Sequence, residues 1–121
     1  MKSCLVVDDS RVIRMVARKI LEELKFDVEE AEDGQVALER CKVKLPDGVL
    51  LDWNMPVMNG MEFLAALQAV PGGCDVPVVF CTTENAIDHI REALVSGASE
   101  YIMKPFDSEI IQSKFVQVGL L

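Results

Sequence analysis

The stretch VLLDWNMP, Val49 to Pro56, carries the decisive reading of this chain. Together with Gly48 its apolar half forms the run GVLLD, which shows no alternation of polar and apolar residues and ends on a carboxylate before a turn signal. A strand with one wet face alternates, whereas a strand covered on both faces of a parallel sheet reads as a continuous apolar run. VPVVFC, Val76 to Cys81, has the same character. Parallel strands need long crossovers, normally helices, so the segments between such runs should show helical spacing.

They do. CLVV (Cys4 to Val7) reads as a first buried strand, after which Ser10 offers an N-cap and Val12, Ile13, Val16, Ala17, Ile20, Leu21 and Leu24 recur at helical intervals. A short strand near Asp27 to Ala31 precedes a helix from about Gly34 to Lys44, which Pro46 closes. After GVLLD, a helix is predicted from about Met61 to Ala69, stopping before Pro71-Gly72-Gly73. The segment from Ala86 to Ser96 reads as a helix ended by Gly97. EYIM (Glu100 to Met103) is a last strand, and Ser108 to about Val118 a last helix. Five repeats of strand then helix predict one α/β domain over residues 1–121, doubly wound around a five-stranded parallel sheet, with no second domain.

Composition narrows the function. The chain has 121 residues, 50% hydrophobic and 26% charged, which fits one globular domain rather than disorder. A net charge of -8 argues against nucleic acid as a ligand, because phosphate backbones require a basic face. Cys4, Cys41, Cys74 and Cys81 show no C-x-x-C spacing, and His89 is the single histidine. Zinc sites and disulfides are therefore not expected, and Cys4 and Cys81, lying in apolar runs, read as core thiols. The acidic pair Asp8-Asp9 follows too short an apolar stretch for a signal peptide, and no run reaches membrane-spanning length. A cytoplasmic protein without membrane insertion is the expectation. No G-x-G-x-x-G or Walker-type stretch supports nucleotide binding, and one histidine leaves no readable Ser-His-Asp or Cys-His arrangement.

In doubly wound sheets, sites form where the carboxyl ends of the strands meet the following loops. Here those positions hold Asp8 and Asp9 after the first strand, Asp52 at the end of the third, Thr82 and Thr83 after the fourth, and Lys104 before Pro105 after the fifth. Taken singly each has an ordinary reading, as a solvated turn, a cap or a surface lysine. Their shared position at one sheet edge is what singles them out. Three crowded carboxylates repel one another unless a hard cation and an ammonium relieve them, and carboxylate, carbonyl and water oxygens suit Mg2+. Such a site is fitted to phosphoryl transfer onto a carboxylate, with Thr82 able to bond a phosphoryl oxygen.

The pieces VVDDS, LLDWNMPVMNG, FCTTEN and EYIMKPF, in this order and spanning nearly the whole chain, resemble the receiver domain of two-component response regulators. Within that family they are most similar to the stand-alone CheY-like proteins, which occur in chemotaxis and in phosphorelays. The resemblance implies a flavodoxin-like fold with strand order 2-1-3-4-5. It implies Asp52 as the phosphoacceptor, and Mg2+ bound by Asp8, Asp9, Asp52 and the main-chain carbonyl of Asn54. Lys104 matches the phosphoryl-binding lysine, and Thr82 the switch hydroxyl. Tyr101 matches the aromatic residue that follows Thr82, and Lys104-Pro105 is expected to be cis. Asn54, Thr83 and Glu84 match positions that tune phosphoaspartate lifetime, Thr83 standing where a smaller residue is frequent. An output face of Ala86, His89, Ile90, Ala93, Tyr101 and Lys114 follows, with Ile90 and Ala93 equally readable as core. The implied partners are a sensor histidine kinase or phosphotransfer protein and a phosphorylation-dependent target, and the implied catalysis is limited to the chain's own phosphorylation and dephosphorylation.

Two other classes compete. An aspartate-nucleophile phosphatase of small esters would usually show D-x-D near the first strand, where this chain has Asp8-Asp9, and would need a cap domain. A flavin-binding domain of similar topology would need a phosphate-cradling loop.

Overall fold

A computed structural model of the chain describes residues 2–53, 55–82 and 87–121, leaving aside the side chains of 87–89. The elements run β1 (Ser3–Val7), α1 (Arg11–Glu23), β2 (Asp27–Ala31), α2 (Gly34–Val43), β3 (Gly48–Asp52), α3 (Gly60–Gln68), β4 (Val78–Thr82), α4 (Ile87–Val95), β5 (Glu100–Met103) and α5 (Ser108–Gln117). The strands form one parallel sheet in the order β2-β1-β3-β4-β5. The alternation of short apolar runs and helical patterns thus gives the architecture it predicts.

Neighbouring residues on a strand serve opposite faces of the sheet. Leu5 and Val7 of β1, Val49 and Leu51 of β3, and Val78 and Phe80 of β4 pack with Ala37, Leu38, Phe63, Leu64, Leu67 and Ala93, so α2, α3 and α4 cover that face. Cys4, Val6, Leu50, Val79 and Cys81 pack instead with Ala17 and Leu21 of α1 and Ile111 and Phe115 of α5. Both faces are dry, which is why GVLLD and the VVFC half of VPVVFC carry no alternation. Among the described residues no helix is long and apolar enough to cross a membrane.

The element ends differ from the expected ones for local reasons. β4 starts at Val78 rather than Val76, because Pro77 has no N–H to give the ladder, and it extends to include Thr82. Val76 caps a 3-10 turn over Gly73–Asp75. α3 begins one residue early, at Gly60, where Asn59 and Glu62 exchange side chain to main chain hydrogen bonds in a capping box. α2 ends at Val43 and α5 at Gln117, each followed by its cap. The start expected for α4 at Ala86 lies outside the described residues.

Three helices close in the same way. Phe26 N–H donates to Leu21 O and Lys25 N–H to Glu22 O at the end of α1; Ala98 with Gly97, and Leu120 with Gly119, repeat the pattern after α4 and α5. In this Schellman closure the residue after the cap takes the left-handed conformation, at φ 71° for Lys25, 111° for Gly97 and 84° for Gly119.

Candidate functional site

β1 ends at Val7, which lies opposite Leu51, so Asp8 emerges directly beside Asp52, the last residue of β3. This is the point where the chain order reverses across the sheet, the crevice in which doubly wound folds hold ligands. β4 lies on the other side of β3, with Asp52 opposite Cys81, and Thr82 closes β4 opposite Met103 of β5. The backbone fixes these ends. Asp8 N–H donates to Ala31 O at 3.1 Å, Trp53 N–H to Cys81 O at 3.2 Å and Lys104 N–H to Thr82 O at 2.9 Å.

Lys104 follows β5, two strands or roughly 10 Å from β3. Its long side chain crosses β4, and its Nζ donates to Asp52 Oδ1 and to Asp8 Oδ2, both at 2.8 Å. The Lys104-Pro105 peptide is cis, as the resemblance implies. Asp8 and Asp52 are only 3% and 6% exposed, and Thr82 3%. Asp9 is exposed, yet one oxygen from each of Asp8, Asp9 and Asp52 lies within 4.8 Å of the others.

Burial pushes the Asp52 carboxyl up to about 6; the Lys104 hydrogen bond opposes that rise, and the charge of Asp8 adds to it. Burial pulls the Lys104 ammonium down, but its bonds to Asp52 and Asp8 outweigh this and leave it above its ordinary value. Three carboxylates around one ammonium leave two negative charges at the site when all are ionised. The donor set is all hard oxygen, partly dry and partly open to water. Those are the conditions for Mg2+, which binds through a few carboxylates and keeps several waters, so these residues fit that ion.

The sheet edge therefore gathers Asp8, Asp9, Asp52, Thr82 and Lys104. Tyr101 lies opposite Phe80, half-buried against the same core, with the Lys114 ammonium 5.5 Å from its ring centre and 3.5 Å from Glu100. Ala93 corrects the expected output face: at 1% exposure, packed in the core, it is not a surface residue. Ile90 is half-buried. Asn54, Thr83, Glu84 and Ala86 lie outside the described residues, as does the side chain of His89. Cys4, Cys41 and Cys81 are buried thiols, burial raising Cys4 to about 12 and Cys41 to about 11.

Two contacts at the site are not among the expectations from sequence. Ser10 N–H donates to Asp8 Oδ1 at 2.8 Å, and Arg14 Nη1 donates to the main-chain carbonyl of Asp8 at 2.7 Å. The available signal is the pair Arg14 and Arg18, four residues apart on one face of the helix that follows the acidic pair.

Comparison with known proteins agrees with this geometry. The response regulator receiver domain family matches residues 4–115. Chemotaxis protein CheY1 of Helicobacter pylori is 37% identical over 112 residues, covering 91% of this chain and 90% of the relative. Chemotaxis protein CheY of Pseudomonas aeruginosa is 34% identical over 115 residues, with 94% and 93% covered. Among solved structures, Vibrio cholerae chemotaxis protein CheY4 superposes with a TM-score of 0.93 at 33% identity, over 98% of each chain. With the sheet order, the acidic cluster and the lysine in place, these matches show that the chain belongs to the response regulator receiver domain family.

Proposed function

We propose that this chain is a phosphorylation-controlled binding module of two-component signalling, of the chemotaxis type that its relatives' names indicate. In this reading it takes a phosphoryl group onto Asp52 from a histidine kinase or phosphotransfer protein, and the phosphorylated form binds a target. The observation that carries the reading is the charge count at the crevice: Asp8 and Asp52 share the ammonium of Lys104 and Asp9 adds a third carboxylate beside them, which leaves room for one divalent cation. Among the described residues nothing at the site offers the basic face that nucleic acid needs, and the reading places the chain in the cytoplasm.

With its carboxyl at about 6, Asp52 is ionised at neutral pH yet more basic than an ordinary carboxylate, which suits a nucleophile. A carboxylate oxygen of Asp52 attacks phosphorus while the bond from phosphorus to the donor histidine nitrogen breaks, its electron pair staying on that nitrogen. Asp52 is left as an acyl phosphate. Mg2+, when held by Asp8, Asp9, Asp52 and the carbonyl of Asn54, supplies charge neutralisation to the transferring group. Lys104, already over Asp52, keeps its ammonium beside the new oxygens.

The product adds about 1.5 to 2 negative charges. Thr82, buried at the end of β4, closes on those charges through its hydroxyl, and the space it leaves admits Tyr101 from the neighbouring strand. That movement alters the surface around Tyr101, Lys114 and Ile90, and in this reading Ala86 and His89 act in the output, while Asn54, Thr83 and Glu84 tune the phosphate lifetime. The chain thus acts on its own phosphorylation state and turns over no separate substrate.

Incubation with Mg2+ and acetyl phosphate should place one acid-stable, base-labile phosphate on each chain, and Asp52→Asn should abolish it. Labelling that persists in Asp52→Asn overturns the acceptor. Steady turnover of a small phosphate ester would favour a phosphatase.

A further inference from the structure

Asp9 is the exposed member of the acidic cluster, and among the described residues no hydrogen bond holds its carboxylate. Its direction is set by the peptide that joins it to Asp8. That peptide's carbonyl accepts from Arg14 Nη1 at 2.7 Å, while Asp8 N–H is anchored on β2 through Ala31 O. Arg14 is itself fixed. Its Nε donates to Glu30 Oε1 at 3.0 Å, and the other oxygen of Glu30 accepts from Arg18 Nε at 2.6 Å. Arg18 Nη1 in turn reaches Glu22 Oε2 at 3.3 Å. Glu30 sits on β2 opposite Val6, two residues before Asp8, so the carboxylate that grips Arg14 belongs to the sheet. Burial raises the Glu30 carboxyl, but its bonds to Arg18 and Arg14 outweigh that and keep it low, so the grip is ionic at neutral pH.

The geometry has a direct physical reading. Helical side chains lean toward the helix N-terminus, so Arg14 in the second turn of α1 extends back over the β1–α1 turn. The guanidinium fork serves two acceptors at once, a carboxylate on the sheet and the carbonyl between the two aspartates, and a lysine has no such fork. We propose that Arg14, braced by Glu30, is the positioning residue that orients the Asp8-Asp9 peptide and thereby presents the Asp9 carboxylate to a divalent cation. The inference rests on the reading of the acidic cluster as the Mg2+ site.

Charge and position predict opposite signs here, which makes the inference testable. Removing a cation near a cation site tightens Mg2+ binding if Arg14 acts through charge alone. It weakens binding if Arg14 acts by orienting Asp9. The dissociation constant of Mg2+ is read on the intact chain by calorimetry, with the fluorescence of Trp53, the single tryptophan and the neighbour of Asp52, as a second readout. Arg14→Met should weaken Mg2+ binding about tenfold, the usual scale for lost outer-sphere support. Arg14→Lys, which keeps the charge but not the fork, should weaken it to a similar degree. Glu30→Gln should weaken it about threefold by loosening the brace. Arg18→Met, which leaves the bond to Asp8 intact, should stay within about twofold. Phosphorylation by acetyl phosphate should recover toward the parent rate as Mg2+ is raised.

Unchanged or tighter Mg2+ binding in Arg14→Met overturns the inference while leaving the metal site standing. A loss as large in Arg18→Met as in Arg14→Met also overturns it, because the network as a whole would then be responsible. Should Arg14→Met fail to fold, Arg14→Lys and Glu30→Gln decide by the same affinities. A parent chain that binds no Mg2+ overturns the site reading itself, and the positioning role with it.

Discussion

β3 has a carboxylate at each end, Asp47 before it and Asp52 closing it, and the two edges of the sheet treat them differently. At the amino edge of the sheet, Asp47 precedes β3 and accepts from the amide of Ser3 at 2.7 Å and from its hydroxyl at 3.3 Å, in the open. At the carboxyl edge, Asp8 and Asp52 are buried, face each other across one ammonium and have Asp9 beside them. The amino edge joins one anion to neutral donors and gains stability from it. The carboxyl edge gathers three carboxylates around the one ammonium of Lys104, which is the charge imbalance on which the proposed cation site rests. Glycines mark the same contrast. A Cβ on Gly60 would lie 2.5 Å from Asp52 O and 2.6 Å from Phe80 Cε1, whereas the three atoms nearest one on Gly48 all belong to the end of the Leu120 side chain.

The largest effect should come from those glycines. Gly60→Ala drives its methyl into backbone and a buried ring, and should cost about 3 kcal/mol. Gly48→Ala pushes aside a leucine tip near the chain end and should cost under about 1 kcal/mol. Urea unfolding of both variants checks the pair. Equal losses would remove the distinction between a rigid edge at the site and a yielding edge opposite.

Most of this contrast could be read from the chain itself. Continuous apolar runs ending in Asp52 and preceding Asp8 require strands buried on both faces, and parallel order then delivers every strand's last residue to one edge. The part that stayed hidden depends on reach across several strands or on geometry within a turn. Lys104 crossing β4 to bond Asp8 is a matter of side-chain length, and Arg14 joining Asp8 to Glu30 combines a helix, a strand and a loop. Ala93 carries a small apolar side chain that helical spacing places equally well on a face or in the core, and its burial in the cluster that also holds Phe80 and Ala98 decides for the core.

The carboxylates should respond to removal with opposite signs. Asp47→Ala loses bonds to Ser3 and should cost about 1 kcal/mol. Asp52→Asn should stabilise the metal-free chain near neutrality, and the gain should depend on pH. The folded pKa of about 6 lies above the ordinary 3.8, so between those values the folded state holds a proton that the unfolded state has released. Stability contributed by Asp52 is therefore present below about pH 4 and is lost as pH rises through 6. The melting temperature of Asp52→Asn, measured in chelator, should exceed the parent's by a few degrees more at pH 7 than at pH 4. A constant difference across that window would show that burial does not hold the proton on Asp52.

The smallest effect compares two residues with left-handed backbone that are not glycine: Lys25 at the amino edge and Val57 at the carboxyl edge, at φ 71° and 67°. Lys25 sits in the Schellman closure of α1, where its conformation completes two hydrogen bonds and brings Phe26 onto Leu21. Val57 is the middle of a three-residue turn in which Met58 N–H donates to Pro56 O at 2.7 Å, the strained form of the γ-turn. A β-branched residue is the least suited to that conformation, and Val57, 79% exposed, buries little in return. Lys25→Gly and Val57→Gly should each raise stability by about 0.5 to 1 kcal/mol, release of left-handed strain outweighing the added freedom of the unfolded chain. Their consequences for the site should then part. Val57 lies between Asp52 and the capping box at Asn59, so loosening its turn should weaken Mg2+ binding by about twofold, a small loss of outer support. Lys25→Gly, at the far edge, should leave Mg2+ affinity as it is. If Val57→Gly gains stability with no change in Mg2+ affinity, the strain in that turn is incidental to the site, and the contrast between the two edges rests on the buried charges alone.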